Sequence, residues 1–215
     1  MKYTATVFGS TGLVGAKLID LLAFDEQYET VYAPNRREVD FKQEKIKPQL
    51  VDFSELKKYP DLFKVNHIFI CLGTTIKKAG SKEKFKAVDL AMPRTIAELA
   101  KSDKLLMISS LGADAASGNF YLKTKGEAEN AVLENGPKCT HIVRPSMLLG
   151  DRKENRLGED MGKFLMKLFD PIMLGPLKKY RGVYDEEVAK AMLFLAKEES
   201  ASKILESEQI KNYQK

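Results

Sequence analysis

Short apolar runs alternate with amphipathic stretches along the whole chain, and this alternation predicts the secondary structure. Runs rich in β-branched and aromatic residues predict strands at 3–8, 30–33, 49–53, 67–72, 104–110 and 140–144. Residues 203–205 add a candidate edge strand. The run at 67–72 is almost entirely apolar, which is typical of a parallel strand that is buried on both faces.

Apolar residues at helical spacing follow most of these runs. They predict helices that begin at Leu13 and that cover 81–100, 121–134 and 185–197, with a kink at Pro93. Strands that alternate with helices predict an α/β fold with a doubly wound, mostly parallel sheet of the Rossmann type.

Residues 146–184 break the alternation, with a charged loop, an apolar helical piece and two prolines. We expect this region to be a small C-terminal insertion that lies on the substrate side of the sheet. A length of 215 residues is enough for one well-buried domain and short for two. The whole chain, 1–215, is therefore predicted to be a single NAD(P)-binding domain.

The turn between the first strand and the first helix carries the sequence Gly9-Ser10-Thr11-Gly12-Leu13-Val14-Gly15. A strand, a glycine-rich turn and a helix in this order form the phosphate-binding opening of a dinucleotide fold. We expect Gly9 to permit the sharp turn, Gly12 to let the backbone approach a pyrophosphate, and Gly15 to let the helix lie close to the sheet. The free N–H groups of the first helical turn then face the anion, with Ser10 and Thr11 adding hydroxyl donors. The alternative is that the three glycines form a structural turn that binds no nucleotide.

The end of the second strand bears on the choice of cofactor. NAD-binding folds place an acidic residue about 20 residues after the glycine turn, where it holds the ribose 2′-hydroxyl. Here Arg36 and Arg37 stand instead, and arginine suits a 2′-phosphate. NADP(H) is therefore the predicted cofactor, unless the two arginines belong to a basic loop that faces water.

Two further strand ends supply candidate binding residues. Asp52 ends the third predicted strand, where it either accepts a hydrogen bond from the adenine amino group or lies in an exposed turn. The fourth strand ends in Leu72, Gly73 and Thr74, at the carboxyl edge where ligands bind in open α/β sheets.

Ser110, Tyr121 and Lys125 form the candidate catalytic set. Tyr121 and Lys125 are four residues apart on a predicted helix and so share a face. A nearby ammonium group favours the phenolate form of a tyrosine and makes it a usable general acid or base. Ser110 ends the preceding strand, close enough along the chain to bind the same reacting oxygen. About one Tyr-x-x-x-Lys spacing is expected by chance in a chain of this composition. The catalytic interpretation therefore depends on its position, at a helix start directly after a predicted strand.

Composition and charge limit the kinds of ligand and partner that we expect. The net charge is +5 and the lysines are scattered, so we expect a solvated surface, no nucleic-acid partner and a mild preference for anionic ligands. No apolar run approaches the ~18 residues that span a membrane, and no secretory leader is evident, so a cytoplasmic location is predicted. Cys71 and Cys139 form no pair motif, His67 and His141 lie in apolar contexts, and no metal site is expected.

These motifs together resemble the short-chain dehydrogenase/reductase superfamily. More narrowly, they resemble its atypical branch, which contains the Tat-interacting oxidoreductase. The segments that carry the resemblance run in order from about Val7 to Tyr184: Cys71 to Thr75 with Lys78 to Gly80, Ser109 to Asp114, Tyr121 to Glu127, and Arg144-Pro145 with Leu148, Leu149, Asp151, Arg152 and Arg156.

The resemblance implies further roles. Thr11, Gly12, Leu13 and Val14 are expected to hold the pyrophosphate, and Arg36 and Arg37 the 2′-phosphate. Leu72 and Gly73 would line the adenosine side, Lys125 would also bind the nicotinamide ribose, and Leu148 and Arg156 would contact the nicotinamide half and its phosphate. Many members carry an asparagine in the fourth helix for a proton relay, whereas this chain has Asp89 there.

Two functions of different classes follow. The first is an NADPH-dependent oxidoreductase that transfers hydride to a carbonyl-like group of a small molecule, with a tyrosine as general acid. The second is a non-catalytic module that senses NADPH and signals through a protein partner. The intact Ser110, Tyr121 and Lys125 favour the enzyme. A nucleotide-sugar epimerase is a weaker third reading, because the chain leaves little room for a sugar-binding lobe.

Overall fold

A seven-stranded sheet forms the centre of the protein, in a computed structural model that describes residues 2–150 and 181–213. Its strands are β1 (Tyr3–Phe8), β2 (Tyr28–Asn35), β3 (Ile46–Leu50), β4 (His67–Ile70), β5 (Lys104–Ile108), β6 (Cys139–Arg144) and β9 (Ile204–Glu206). Two short strands, β7 (Leu148–Leu149) and β8 (Val183–Tyr184), pair with each other apart from it.

Helices follow most of the strands. The α-helices are α1 (Leu13–Phe24), α2 (Ile76–Ala79), α3 (Lys82–Lys86), α4 (Met92–Leu99), α5 (Phe120–Asn135), α6 (Asp185–Lys197) and α7 (Ser207–Ile210). A π-helical turn (Ala87–Ala91) joins α3 to α4, and 3₁₀ turns lie at Phe53–Lys58, Pro60–Phe63 and Lys211–Tyr213.

The strands are ordered β3-β2-β1-β4-β5-β6-β9, and every neighbouring pair is parallel. This order places β1 beside β4, with the chain winding outward on either side. The crevice at such a reversal is where open α/β sheets bind their ligands. The predicted doubly wound Rossmann-type sheet is confirmed.

Two apolar layers cover the sheet. On one face the buried side chains of α1 and α6 pack against residues such as Val7, Val31 and Phe69. On the other face α4, α5 and the 3₁₀ turns pack against Phe8, Ile68 and Leu105. A parallel sheet covered on both faces explains why Ile68, Phe69 and Ile70 of β4 are apolar at consecutive positions.

Two elements differ from their predicted positions, and a third predicted feature lies mostly outside the described residues. β3 lies at Ile46–Leu50 rather than 49–53, and it contains Pro48, which only an edge strand tolerates. The interruption predicted at Pro93 lies one turn earlier, because the π-helical turn precedes α4. The expected insertion on the substrate side falls mostly at 151–180, outside the described residues.

Within the described ranges, no helix has both the length and the apolar character needed to cross a bilayer.

Candidate functional site

The predicted site residues follow the carboxyl ends of neighbouring strands. The glycine turn follows β1, Arg36 and Arg37 follow β2, Asp52 follows β3, and Leu72 to Thr74 follow β4. Ser110 follows β5, and Leu148 follows β6. Because all these strands are parallel, their carboxyl ends meet at one edge of the sheet. Arg156 lies outside the described residues.

The glycine turn is tight enough to exclude side chains at two positions. Gly9 has φ +88°, and a Cβ there would lie 2.6 Å from the Cys71 carbonyl oxygen at the end of β4. A Cβ on Gly15 would overlap the Gly9 carbonyl oxygen, so this glycine lets α1 approach the turn itself rather than the sheet. Gly12 is less crowded, since its Cβ would lie 3.2 Å from the same oxygen.

The N-terminus of α1 offers free donors to the crevice. No side chain caps the helix, and the N–H groups of Leu13, Val14 and Gly15 have no acceptor in the part of the chain that the structure describes. Such groups, with the positive end of the helix dipole, form a ready anion site. Thr11 is exposed beside them.

Ser10 does not take the place predicted for it. Its side chain is buried, and its hydroxyl donates to Asn35 Oδ1 at 3.1 Å. Asn35 in turn donates from Nδ2 to the Ala33 carbonyl and accepts at its own carbonyl from Val51 N. The hydroxyl of Ser10 therefore ties the phosphate turn to the end of β2 in this structure, rather than facing a ligand.

Arg36 and Arg37 lie just beyond this link. Both side chains are exposed, and neither forms an ion pair or hydrogen bond within residues 2–150 and 181–213. Asp52 is exposed and caps the first 3₁₀ turn, accepting from Ser54 N at 2.8 Å and Ser54 Oγ at 2.7 Å. These hydrogen bonds from Ser54 hold the Asp52 pKa below its usual range, so the carboxylate stays an acceptor.

A buried ion pair joins two parts of the site. Asp89, in the π-helical turn, lies with Oδ1 2.7 Å from Lys125 Nζ on α5, and its Oδ2 accepts from Thr74 N at 2.9 Å. A Cβ on the exposed Gly73 would lie 3.6 Å from Asp89 Oδ1 and 3.9 Å from Lys125 Nζ. Leu72, half-buried, completes this loop after β4.

Helix α5 presents Tyr121 in its first turn. The helix begins after Asn119, whose side chain accepts from Tyr121 N and Leu122 N and satisfies two free donors. The Phe85 ring of α3 packs against the Tyr121 ring with their centroids 5.7 Å apart. Lys125 lies one turn further along and is 93% buried, so both predicted residues are held by packing.

The loop that carries Ser110 rests directly on α5. A Cβ on Gly126 would overlap the backbone of Asp114 and Ala115, so only glycine permits this contact. The Ser110 hydroxyl is half-buried, and its one hydrogen-bond contact within the described chain is a long one, 3.5 Å to the Leu111 carbonyl. It is thus available to a ligand. Ser109 beside it is buried, and its hydroxyl has no hydrogen-bond partner among those residues.

We assign neither cysteine thiol a role in ligand binding or catalysis. Burial raises the pKa of the Cys71 thiol to about 12, so it stays protonated although it adjoins Gly9. Cys139 donates to the Ser200 carbonyl on another part of the fold. In the ranges that the structure covers, no group of histidine, cysteine, aspartate or glutamate is arranged to hold a metal ion.

The contacts of three residues of the site are not evident from the sequence. Nothing in the sequence marks Asn35, because a buried asparagine in a strand cannot be distinguished by pattern from an exposed polar residue. Gly126 stands in the motif after Lys125, and a glycine inside a helix is a sign of close packing. Asp89 stands where many members carry asparagine, and its ion pair with Lys125 depends on a π-helical turn that the hydrophobic periodicity does not reveal.

Curated relatives extend over most of the chain. Protein FMP52, mitochondrial, from Debaryomyces hansenii is 34% identical over 205 residues, covering 91% of this chain and 88% of the relative. Protein HTATIP2 from Rattus norvegicus is 35% identical over 160 residues, covering 73% of this chain and 69% of the relative. The resemblance to the branch of the Tat-interacting oxidoreductase is confirmed.

Solved structures share the fold at low identity. MoeE5 in complex with UDP-glucose and NAD matches with a TM-score of 0.69 at 14% identity, covering 94% of this chain and 75% of that one. The human epimerase family protein SDR39U1 (isoform 2) with NADPH matches with a TM-score of 0.65 at 15% identity, covering 94% and 72%.

The prediction of a cytoplasmic location is wrong. Several yeast relatives, from Debaryomyces hansenii, Candida albicans and Meyerozyma guilliermondii, bear the name Protein FMP52, mitochondrial. The pattern of a secretory leader bears on secretion alone and carries no information about mitochondria.

A family model spans nearly the whole chain. The model of the NAD dependent epimerase/dehydratase family matches residues 5–206, from β1 to the end of β9. Together with the relatives and the sheet order, this match establishes an NAD(P)-binding oxidoreductase fold. The chain belongs to the NAD dependent epimerase/dehydratase family.

Proposed function

We propose that this protein is an NADPH-dependent oxidoreductase that reduces a carbonyl-like group of a small molecule. The observation that carries the proposal is the placement of Tyr121 one helical turn before Lys125, whose ammonium lies behind the loop after β4. A tyrosine and a cation at the edge of a dinucleotide crevice supply the two polar groups that proton transfer to a substrate oxygen needs.

The residues present fit a dinucleotide phosphate. The free N–H groups of Leu13, Val14 and Gly15 face the crevice without a capping side chain, which suits a pyrophosphate. Arg36 and Arg37 are exposed at the end of β2 with no carboxylate partner in the described chain, which suits a 2′-phosphate. We therefore propose NADPH rather than NADH.

NADPH supplies a hydride when bound. The Tyr121 hydroxyl donates its proton to the substrate oxygen as negative charge develops there, and the Ser110 hydroxyl donates a hydrogen bond to the same oxygen. Lys125 would hold the nicotinamide ribose of the bound cofactor. The Phe85 ring holds the Tyr121 ring in place, so the phenol does not need to be ordered by the substrate.

The test of the reaction is NADPH oxidation, followed at 340 nm with a panel of aldehydes, ketones and quinones. Tyr121→Phe keeps the ring and removes the proton, so turnover should fall by about 10²–10⁴ with little change in NADPH affinity. Tyr213→Phe, whose ring packs on Phe194 away from the crevice, is the matched control and should leave turnover unchanged. Wild-type turnover by Tyr121→Phe would contradict the proposal. A wild-type protein that binds NADPH and reduces no compound would favour the sensor.

Cofactor choice is tested by calorimetry. A hydrogen bond to a charged group is worth roughly 1.5–3 kcal/mol, so Arg36→Ala or Arg37→Ala should weaken NADPH by about ten- to a hundred-fold. NADH binding should change far less. Arg94→Ala, which removes an exposed charge from α4, is the control for net charge. Equal affinities of the wild-type protein for NADPH and NADH would rule the preference out.

We also propose that the protein resides in mitochondria, on the names of its yeast relatives. Fractionation of cells that express the full chain with a C-terminal tag should recover it with a mitochondrial marker.

A further inference from the structure

The net positive charge of the chain is concentrated in one segment. The basic segment, residues 76–86, forms α2, α3 and the turn between them, and it contains five lysines and one glutamate. Its surplus of four positive charges compares with a net charge of +5 for all 215 residues. A surface with one sign of charge raises the local concentration of ligands of the opposite sign.

The basic segment lies at the ligand edge of the sheet. It begins shortly after the carboxyl end of β4, where Gly73 and Thr74 border the crevice. Beyond the segment the chain returns to the same place, because Thr74 N donates to Asp89 Oδ2 at 2.9 Å and Asp89 pairs with Lys125. Contacts within the candidate site therefore hold both ends of the segment and place it at the rim of the crevice.

Hydrogen bonding and packing fix the two short helices of the segment. Ser81 caps α3, because its Oγ accepts from Lys84 N at 3.2 Å, and Thr75 caps α2 in the same way. The Phe85 side chain of α3 is fully buried. The geometry of α3 is therefore set by its backbone and by Phe85, so the side chains of Lys82 and Lys84 can be changed without unfolding it.

Aromatic rings connect the basic segment to Tyr121. The Phe85 ring packs against the Tyr121 ring, with centroids 5.7 Å apart, and against the Phe120 ring, with centroids 5.8 Å apart. Lys82 Nζ lies over the Phe120 ring, 5.1 Å from its centroid. A substrate that reaches the Tyr121 phenol therefore lies within the electrostatic field of these lysines.

Three lysines of the segment carry charge that no carboxylate of the described chain neutralises. Lys77, Lys82 and Lys84 are exposed and form no ion pair within residues 2–150 and 181–213. Lys86 differs from them, since Glu127 lies 3.4 Å from its ammonium. Uncompensated positive charge beside a binding crevice favours an anionic ligand.

Neither the cofactor phosphates nor a membrane suits this position well. The groups proposed for the phosphates, the N-terminus of α1 with Arg36 and Arg37, follow β1 and β2, whereas the basic segment follows β4 and packs beside Tyr121. Among the exposed large apolar side chains of the described chain, Ile76 alone belongs to the segment. The segment therefore offers little that could insert into a bilayer.

We propose that the basic segment binds an acidic group, a carboxylate or a phosphate, that the substrate carries in addition to its carbonyl group. This proposal rests on the proposed function and names the class of its substrate. The carbonyl oxygen lies at the Tyr121 phenol, while Lys77, Lys82 and Lys84 attract and hold the acidic group at the rim. The attraction orients the substrate with its carbonyl group inward. Oxo acids and phosphorylated aldehydes or ketones are substrates of this class.

The test compares 4-formylbenzoate with its methyl ester, which presents the same aldehyde without the charge. At saturating NADPH, K82E/K84E should lower kcat/KM for the acid by about ten-fold, because two attractive charges become repulsive, and should leave the ester unchanged. The matched control is K101E/K138E, which reverses two exposed lysines at the opposite edge of the sheet, before β5 and β6, and should change neither substrate. Equal effects of K82E/K84E on acid and ester would overturn the proposal.

Salt measures the same attraction independently. Between ~0.01 M and ~0.1 M NaCl the screening length falls from about 30 Å to about 10 Å, so kcat/KM for the acid should fall and that for the ester should not. Sedimentation with vesicles of phosphatidylcholine and phosphatidylglycerol tests a membrane instead, and the wild-type protein should stay in the supernatant. Binding to these vesicles that K82E/K84E abolishes would assign the segment to a lipid surface and overturn the proposal.

A further readout does not depend on turnover. Pyridoxal 5′-phosphate forms imines with lysines that borohydride makes permanent, and pyridoxal does the same without a phosphate. Mass spectrometry should find Lys77, Lys82 and Lys84 labelled about five-fold more than Lys101 and Lys138 by the phosphate, and no such preference with pyridoxal. Equal labelling of the two groups by the phosphate would overturn the anion site. Selective labelling of a protein that reduces no carbonyl compound would support the anion site and contradict only the proposed reduction.

Discussion

At the scale of single residues, the glycine turn shows how unequal its three glycines are. Gly15 faces the Gly9 carbonyl oxygen too closely for any Cβ, whereas Gly12 retains some room. The turn is therefore closed on itself by α1, and its shape exists before a ligand arrives. Preformed N–H donors of this kind bind an anion without the cost of ordering a loop.

Gly15→Ala should abolish cofactor binding and lower the thermal midpoint. Alanine is favoured over glycine inside a helix by about 1 kcal/mol, so any loss of stability in this variant measures the clash of the new Cβ with the turn. Gly118→Ala, where a Cβ would meet nothing within 4 Å, should change neither quantity. Calorimetric titration with NADPH and thermal unfolding check both variants. Normal NADPH binding by Gly15→Ala would show that the turn can yield.

At the scale of elements, Arg144 joins three of them. Its guanidinium donates to Glu129 on α5 through Nε at 3.0 Å, and to Glu206 at the end of β9 through its NH1 nitrogen at 2.8 Å. The hydrogen bonds that Arg144 donates to Glu129 and then to Glu206 hold the pKa of Arg144 above its usual range. Glu129 is 2% exposed, and its pairing with Arg144 offsets the free-energy cost of burying its carboxylate.

Arg144→Met should lower the free energy of unfolding by about 3 kcal/mol, because it leaves a buried carboxylate unpaired. Lys190→Met breaks the exposed pair with Glu186 on α6 and should cost less than ~1 kcal/mol. Urea unfolding of both variants measures the difference. Equal losses would show that the Arg144 network adds nothing beyond a surface pair.

The helices and strands also show which parts of the fold can be predicted from the sequence. The sequence pattern predicts a helix at 185–197, and α6 lies there because its apolar face is buried and three acidic residues occupy its first turn. β3 was misplaced because Lys47 and Pro48 give no strand pattern, and only its pairing with β2 holds it. The turn glycines follow from local geometry, whereas the Ser10–Asn35 and Asp89–Lys125 contacts join residues 25 and 36 positions apart, and local patterns carry no information about such distances.

At the scale of the whole molecule, two buried histidines make stability depend on pH. Burial, and then the charge of Lys104, lowers the pKa of His67 and of His141 from 6.5 to about 4. His67 Nδ1 is hydrogen-bonded to the Tyr28 hydroxyl at 2.7 Å, and His141 Nδ1 accepts from Lys203 N at 3.2 Å. Both rings are therefore neutral in the folded protein at pH 7.

The free energy of unfolding should fall as the pH drops from about 6.5 to about 4, because the unfolded chain takes up protons that the folded one refuses. A full shift of this size corresponds to at most about 3 kcal/mol for each histidine. His67→Gln should flatten the dependence in this window, as measured by urea unfolding at a series of pH values. A wild-type stability that is constant between pH 6.5 and 4 would contradict the assignment.

The short strand β9 has a consequence for the solubility of the protein. It pairs with β6 over three residues and covers the edge of a strand whose sequence, Cys-Thr-His-Ile-Val-Arg, is rich in β-branched side chains. A chain cut before residue 204 would expose the open backbone groups of β6 and leave Arg144 without Glu206. Strands with such bare edges template the addition of further chains. Proteolysis near Lys203 should therefore cause the protein to aggregate.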